Sequence, residues 1–403
     1  MGISRNVLVV QSGGCTAVMN RSLVGLVLEV FHSPQGDKLG EVYGAAHGLK
    51  GILDGTLLDL RRQPTGLWKR IANTPGAAMG SGRLSLRPED VPTALSVLSR
   101  YNIGYLFTIG GNDTAEVAHR IAEETRARGQ ELTVIHIPKT IDNDLPLTDH
   151  TPGYGSAARF VALATMGAGK DAEAMGEASP ITILEVMGRD AGWLAASSAL
   201  GKRDEIDAPH YICLPEVPVD EGRFLERMED AYRRWGFTVA VTAENAKSRS
   251  GPLGGQQEPF YVDDFGHQYF EGPGRYLAQL VSRKLKVRAR FEKPGTIQRS
   301  LMACVSRTDA QEASLVGQAA ARYALEGYSD SMVTLVRQST LTPGEGYNCT
   351  TGLAPLEAVA GKVKPLPQGY IDASTGLVTQ AYIEYARPLA GGPMPRYGRL
   401  LNR

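Results

Sequence analysis

The segment "PKTIDND" at residues 138–144 packs one ammonium, one hydroxyl and two carboxylates into seven residues. In an extended segment alternate side chains share a face, so Thr140, Asp142 and Asp144 are expected to project together. One such carboxylate can take a proton from an attacking alcohol while the other orients it or supports a metal. Lys139 adds a compact positive charge of the kind that meets a phosphoryl group. The same residues would equally serve a capped turn in which Asp142 and Asp144 accept backbone N–H bonds. A further carboxylate lies in "GGNDTA" (110–115). Gly110 and Gly111 suit the approach of an anion to bare backbone, yet Asp113 carries the same sign of charge as a phosphate. "MGRDAG" (187–192) offers Gly188 for close approach and Arg189 for a charge-assisted bond to phosphate, or else a plain strand-to-helix turn capped by Asp190. "SGG" (12–14), "GSGR" (80–83) and "RARFEKPGTIQR" (288–299) are weaker signals. Glycine turns need no ligand, and Arg288, Arg290, Lys293 and Arg299 make an anion site only if they converge.

Most of these segments follow short apolar runs, and those runs alternate with helical periodicity, the pattern of βαβ units around a parallel sheet. "NVLVVQ" precedes a helix with apolar Val18, Met19, Leu23, Val24, Val27 and Val30. "GYLFTIGG" precedes "DTAEVAHRIAEETRARG", with Asp113 or Thr114 placed to cap that helix. "ELTVIHIPKT", "ITILEV", "HYICLPE" and "FTVAVTAEN" supply four more strands. A doubly wound α/β architecture is predicted, with ligands gathering beyond the carboxyl ends of the strands.

The length of 403 residues exceeds one ordinary core and predicts two compact units plus extras. Lys+Arg and Asp+Glu both number 43, and this zero net charge argues against nucleic acid as a partner. Cys15, Cys213, Cys304 and Cys349 form no CxxC pair, so reduced thiols are expected rather than a disulfide framework or a zinc site. No signal-peptide pattern and no apolar stretch of about 18 residues is present, so a soluble cytoplasmic protein without membrane contact is expected. Residues 243–275, rich in glycine and proline, read as an insertion, and residues 341–403 as a C-terminal extension packed on the body.

In order, "QSGG…MN", "GSGR", "GGNDT", "PKTIDND", "VMGR…AG", "LPE", "AEN" and "TIQR" resemble the phosphofructokinase family from residue 6 to about residue 325, and within it the pyrophosphate-dependent branch. The resemblance implies two doubly wound domains with the active site in the cleft between them. A donor domain would cover 1–150, completed by part of 295–340, and a sugar-phosphate domain 151–295 with an insertion near 247–273. It implies magnesium-dependent transfer between pyrophosphate and the 1-hydroxyl of fructose 6-phosphate in a homodimer or homotetramer. The branch assignment rests on Asp113 and Lys139, both typically glycine in the ATP users of the family. Asp113 would fill the space and carry the charge of a nucleotide's α-phosphate, and Lys139 would grip the donor and stabilise charge in transfer.

Carried over residue by residue, the resemblance makes Asp142 the general base and places Asp144 near the metal. Gly13, Gly14, Arg83 and Gly111 join Asp113 and Lys139 at the donor. Thr140, Ile141, Asp142, Met187, Gly188, Arg189 and Glu244 meet the sugar phosphate, with Arg189 also able to touch the transferring group. Arg290, Thr296 and Arg299 stand at the positions for the 6-phosphate. Three positions depart from the pattern. Asn112 replaces the metal-associated aspartate, and a neutral amide is a poorer magnesium ligand. Thr296 stands where histidine or tyrosine is common, and Pro180 where an arginine reaches a neighbouring subunit. The alternatives are an ATP-dependent 6-phosphofructokinase, a pyrophosphate-dependent kinase of another sugar phosphate such as sedoheptulose 7-phosphate, and a regulatory subunit on the same scaffold.

Overall fold

The computed structural model describes residues 4–34, 39–254, 258–263, 266, 268–269, 271–338 and 346–400. In chain order the strands are β1 (Arg5–Gln11), β2 (Leu39–Ala45), β3 (Leu57–Asp59), β4 (Ile103–Gly110), β5 (Thr133–Pro138), β6 (Ile181–Val186), β7 (Tyr211–Cys213) and β8 (Thr238–Ala243). They continue as β9 (Lys247–Ser248), β10 (Gly251–Pro252), β11 (Tyr261–Val262), β12 (Gln268–Tyr269), β13 (Ala289–Glu292), β14 (Ser331–Arg337), β15 (Cys349–Pro355), β16 (Ile371–Asp372) and β17 (Leu377–Val378).

The chain divides into two compact units, the first comprising residues 1–154, 259–269 and 299–364, the second residues 155–258, 270–298 and 365–403. The first is built on a sheet of order β15-β14-β5-β4-β1-β2-β3. Its inner strands run parallel, while β3 and β15 pair antiparallel at the two edges. The apolar runs of β1 and β4 have few polar interruptions because helices cover both faces of the sheet. On one face helix Met19–His32 packs directly on helix Arg307–Leu325. Gly25 and Gly317 permit this, since a Cβ on either would lie 2.4 and 2.1 Å from the facing carbonyls of Ser314 and Ser22. The winding reverses between β1 and β4, the switch point at which such sheets collect ligands beyond the strand ends.

The second unit carries a parallel sheet of order β13-β6-β8-β7. Helix Glu221–Trp235 covers it, capped by the Asp220 carboxylate, which accepts from the Arg223 N–H, and ended by Gly236 in the left-handed region at φ 77°. Ile183, Phe224, Met228, Ala240, Leu277 and Val281 share its core.

The structure differs from the sequence reading in four places. The stretch 341–403 is not one extension. Its first part forms β15 in the first sheet, while residues from 365 onward belong to the second unit. There the Ser374 carbonyl accepts from Arg223 and Arg227, and the Tyr382 hydroxyl donates to the Trp193 carbonyl. The cationic run at 288–299 includes a strand, β13, whose alternating charges hide its pairing with β6. The insertion read over 247–273 within the sugar-phosphate domain is divided: β9 pairs antiparallel with β10 in the second unit, and β11 with β12 in the first. Neither Asp113 nor Thr114 caps helix Asn112–Ala127. Gly111 is its N-cap and Asp113 lies in the first turn, because the extended backbone at Gly111 starts the helix earlier. Among the described residues no helix is long and apolar enough to cross a membrane.

Candidate active site

In the first unit the loops after β1, β4 and β5 assemble around the Gly13–Gly14 turn. Gly13 has φ 77°, a conformation that favours glycine, and a Cβ there would lie 3.2 Å from the Lys139 ammonium. That ammonium donates to the Gly14 carbonyl at 2.8 Å. A Cβ on Gly14 would lie 2.5 Å from the Arg299 guanidinium and 4.0 Å from that of Arg83. The "GSGR" loop is docked by the Gly13 N–H, which donates to Gly82 at 3.0 Å, and by the Ser81 hydroxyl, which donates to Gly13 at 2.6 Å. Three cations thus converge on two glycines, a cradle shaped for a small polyanion. Lys139 is 3% exposed. Burial lowers its pKa to about 8, with Arg299 and Arg83 pushing the same way and Cys15 and Asp142 opposing.

The backbone beneath this cradle is fixed by a buried histidine. His136 in β5 lies 3.1 Å from the Gly110 carbonyl through Nε2 and 2.8 Å from the Thr108 hydroxyl through Nδ1. Donation to a carbonyl requires Nε2–H, so Nδ1 accepts from Thr108. Burial holds the ring neutral, with its pKa lowered to about 3. The Lys139 N–H donates to Gly110 at 2.9 Å, joining the loops that carry Gly111 and Lys139.

"PKTIDND" is not an extended segment. The Asp142 N–H donates to the Thr140 hydroxyl at 3.0 Å, and Asn143 adopts φ 55°. The turn is held from outside: the Asn143 side chain accepts from the Thr151 N–H at 3.0 Å, and the Thr151 hydroxyl donates to the Thr140 carbonyl at 3.0 Å. Gly153, bridged to Thr140, donates its N–H to Asp309 at 2.8 Å. Pleat alternation therefore does not group Thr140, Asp142 and Asp144. Ile141 and Asp144 are buried, and the Lys364 N–H donates to the Asp144 carbonyl at 2.6 Å. Burial lowers the pKa of Lys364 to about 8, opposed by Asp149 and Asp144. Asn112 opens the helix beside Asp113, and its amide donates to the Lys362 carbonyl at 2.6 Å. A carboxylate could not make that bond. Among the described residues no group of three or more His, Cys, Asp and Glu side chains forms a ready-made metal site.

In the second unit, "MGRDAG" follows β6. Gly188 has φ 114°, and a Cβ there would meet the Ala191 carbonyl at 2.9 Å. The Met187 N–H donates to Gln298 at 3.1 Å. Glu216 of "LPE" accepts from the N–H groups of Gly192 and Leu366, both at 2.8 Å, which ties the turn to the C-terminal segment. Glu244, after β8, donates its N–H to the Val186 carbonyl at 3.0 Å. Burial pushes its carboxyl pKa up, opposed by Lys293 and Arg189 and reinforced by Glu185. Glu185 itself is fully buried and ion-paired to Lys293 at 2.6 Å, and it accepts from the Gly274 N–H at 2.9 Å. A Cβ on Gly272 would lie 2.2 Å from it. Arg290 pairs with Asp171 and reaches the Thr182 hydroxyl at 3.3 Å, and Thr296 is exposed.

With both groups of residues located, the motif order can be set against known proteins. The phosphofructokinase family model matches residues 6–324. The chain belongs to the phosphofructokinase family. It is 39% identical to the pyrophosphate--fructose 6-phosphate 1-phosphotransferase of Rhodospirillum rubrum, over 98% of this chain and 99% of that protein. A protein of the same name from Halomonas elongata is 33% identical over 96% and 92% of the two chains. Among solved structures, the pyrophosphate-dependent phosphofructokinase of Nitrosospira multiformis superposes with a TM-score of 0.87 at 30% identity, covering 98% of this chain and 95% of that one.

Within this phosphofructokinase chain the structure brings Gly13, Gly14, Arg83 and Lys139 together as the motifs imply. It adds Arg299, which the resemblance had assigned to the 6-phosphate. It holds Glu244 and Arg189 within electrostatic reach of each other in the second unit. Sequence reasoning missed His136, Asn143, Thr151, Asp309, Glu185 and the pairing role of Lys293. Only His136, embedded in "VIHIPKT", carried a local signal: a polar ring inside an apolar run.

Proposed function

We propose that this protein reversibly transfers a phosphoryl group from pyrophosphate to the 1-hydroxyl of fructose 6-phosphate, giving fructose 1,6-bisphosphate and phosphate. The observation that carries the reading is the cradle of Gly13 and Gly14 ringed by Lys139, Arg83 and Arg299. Bare backbone and three cations suit a compact inorganic polyanion. Asp113 lies in the first turn of the helix after Gly111, and on this reading its charge excludes a nucleotide's α-phosphate. Lys139 meets the charge that develops on the transferring group, the electrostatic contribution on which phosphoryl transfer depends. Asp142 takes the proton from the 1-hydroxyl and returns it in the reverse direction. Met187, Gly188 and Arg189 hold the sugar phosphate, and Glu244 accepts hydrogen bonds from its hydroxyls.

The donor chemistry fits magnesium. Asp113 offers hard carboxylate oxygens after β4 and Asp144 offers others after β5, which leaves Asp142 for the proton. Magnesium uses one or two carboxylates together with substrate phosphates and waters, so Asn112 can be spared for its bond to Lys362. When bound, the ion neutralises negative charge on the phosphate oxygens. Phosphorus NMR of the full chain with fructose 6-phosphate, magnesium and either pyrophosphate or ATP tests the assignment. Turnover with pyrophosphate, and little with ATP, is expected. Robust turnover with ATP alone would overturn it.

A further inference from the structure

The hairpin β11–β12 lies in the segment read from sequence as an insertion, and no step above uses it. Phe260 is 68% exposed and Tyr261 and Val262 are also exposed, whereas Asp263, the next residue, is 8% exposed. Its carboxylate pairs with Nη1 of Arg83 at 2.8 Å. The other end of the Arg83 fork, Nη2, is the one that approaches Gly14. We infer that Asp263 is a positioning residue for the donor: by holding one arm of the Arg83 guanidinium it aims the other at the pyrophosphate cradle. A guanidinium is planar and rigid, so fixing one nitrogen fixes the direction of the rest. A buried carboxylate needs a charged partner, so the pair also ties the hairpin to the donor loop. The Gly266 N–H donates to the Asp263 carbonyl at 2.8 Å.

The inference rests on the reading of Arg83 as a donor-binding residue, and the experiment separates the two. Pyrophosphate binding to the full chain is measured by titration calorimetry for wild type, Arg83→Met, Asp263→Ala, Asp263→Asn and the double variant Arg83→Met/Asp263→Ala. Asp263→Ala is expected to weaken pyrophosphate binding about tenfold. The isosteric Asp263→Asn should fall between it and wild type. The KM for fructose 6-phosphate should stay unchanged in both. In the Arg83→Met background, Asp263→Ala should cause little further loss, because the pair acts as one unit. A hairpin that matters only for folding would add its full effect in both backgrounds, and that result would overturn the inference. So would wild-type pyrophosphate affinity in Asp263→Ala alongside weakened binding in Arg83→Met. If Arg83→Met itself bound pyrophosphate normally, the reading of Arg83 as a donor residue would fall, and the inference with it.

Discussion

In the first unit a buried cation, Lys139, sits among Arg83, Arg299 and the Gly14 carbonyl; in the second, Lys293 pairs with the Glu185 carboxylate and lies, with Arg189, within electrostatic reach of Glu244. Burial disfavours the charged form in both places, but with opposite sign: it lowers the lysine pKa to about 8 and raises those of the glutamates. The cation cluster is balanced in part by Asp263, paired to Arg83, and on the proposed reading it takes an anionic donor. The carboxylate cluster already contains its cation and presents acceptors to hydroxyl groups. On the proposed reading, one unit is tuned for a polyphosphate and the other for a sugar.

The largest expected effect breaks the chemistry beside the first cluster, where Asp142 lies within electrostatic reach of Lys139. Asp142→Asn should lower kcat about 10²–10⁴-fold in both directions, the range for losing a general base, with the thermal midpoint unchanged. Retention of activity within tenfold would mean that the proton leaves by another route.

Glu244→Gln should act on one substrate only. The KM for fructose 6-phosphate is expected to rise about tenfold or more, the worth of a hydrogen bond to a charged group, while that for pyrophosphate holds. Because the ionised carboxylate is the acceptor and burial raises its pKa, the wild-type KM for the sugar should climb on acidification before an ordinary glutamate would titrate. Equal changes in both KM values would erase the division between the units.

The smallest effect belongs to Asn112→Asp. It removes the bond to Lys362, worth about 1 kcal/mol, and should lower the melting temperature by about 2–4 °C with donor preference unchanged. A lower magnesium requirement in the variant would instead put this residue among the metal ligands.

What the sequence revealed follows from where each constraint lies. The segments holding Gly13, Gly14, Lys139 and Asp142 stood out because each follows directly on an apolar run, and the order of the motifs rather than local spacing set the Gly13–Gly14 turn apart from an ordinary one. The strands β1, β4, β5, β6, β7 and β8 were legible for the same reason, since burial on both faces leaves uninterrupted apolar runs. Asn143 was not, because its left-handed turn is imposed by Thr151 and by Asp309 acting through Gly153, contacts visible only after folding. Lys293 looked like one charge in a basic run, and its partner Glu185 lies more than a hundred positions earlier. The C-terminal stretch hid its strand β15 because an antiparallel edge strand has one exposed side and weak apolar periodicity.

Lys139 is the central residue as a buried cation, and the pH dependence of kcat/KM for pyrophosphate at saturating sugar phosphate tests its role most directly. That parameter reports free pyrophosphate and the enzyme in its complex with the sugar phosphate. Lys139 is charged below its pKa and neutral above it, so kcat/KM should fall as pH rises through about 8. Lys139→Arg, which stays charged, should lose that limb even if its overall rate is lower, the titration of pyrophosphate being common to both proteins. A wild-type profile that stays flat across this range, or the same alkaline limb in both proteins, would contradict the account.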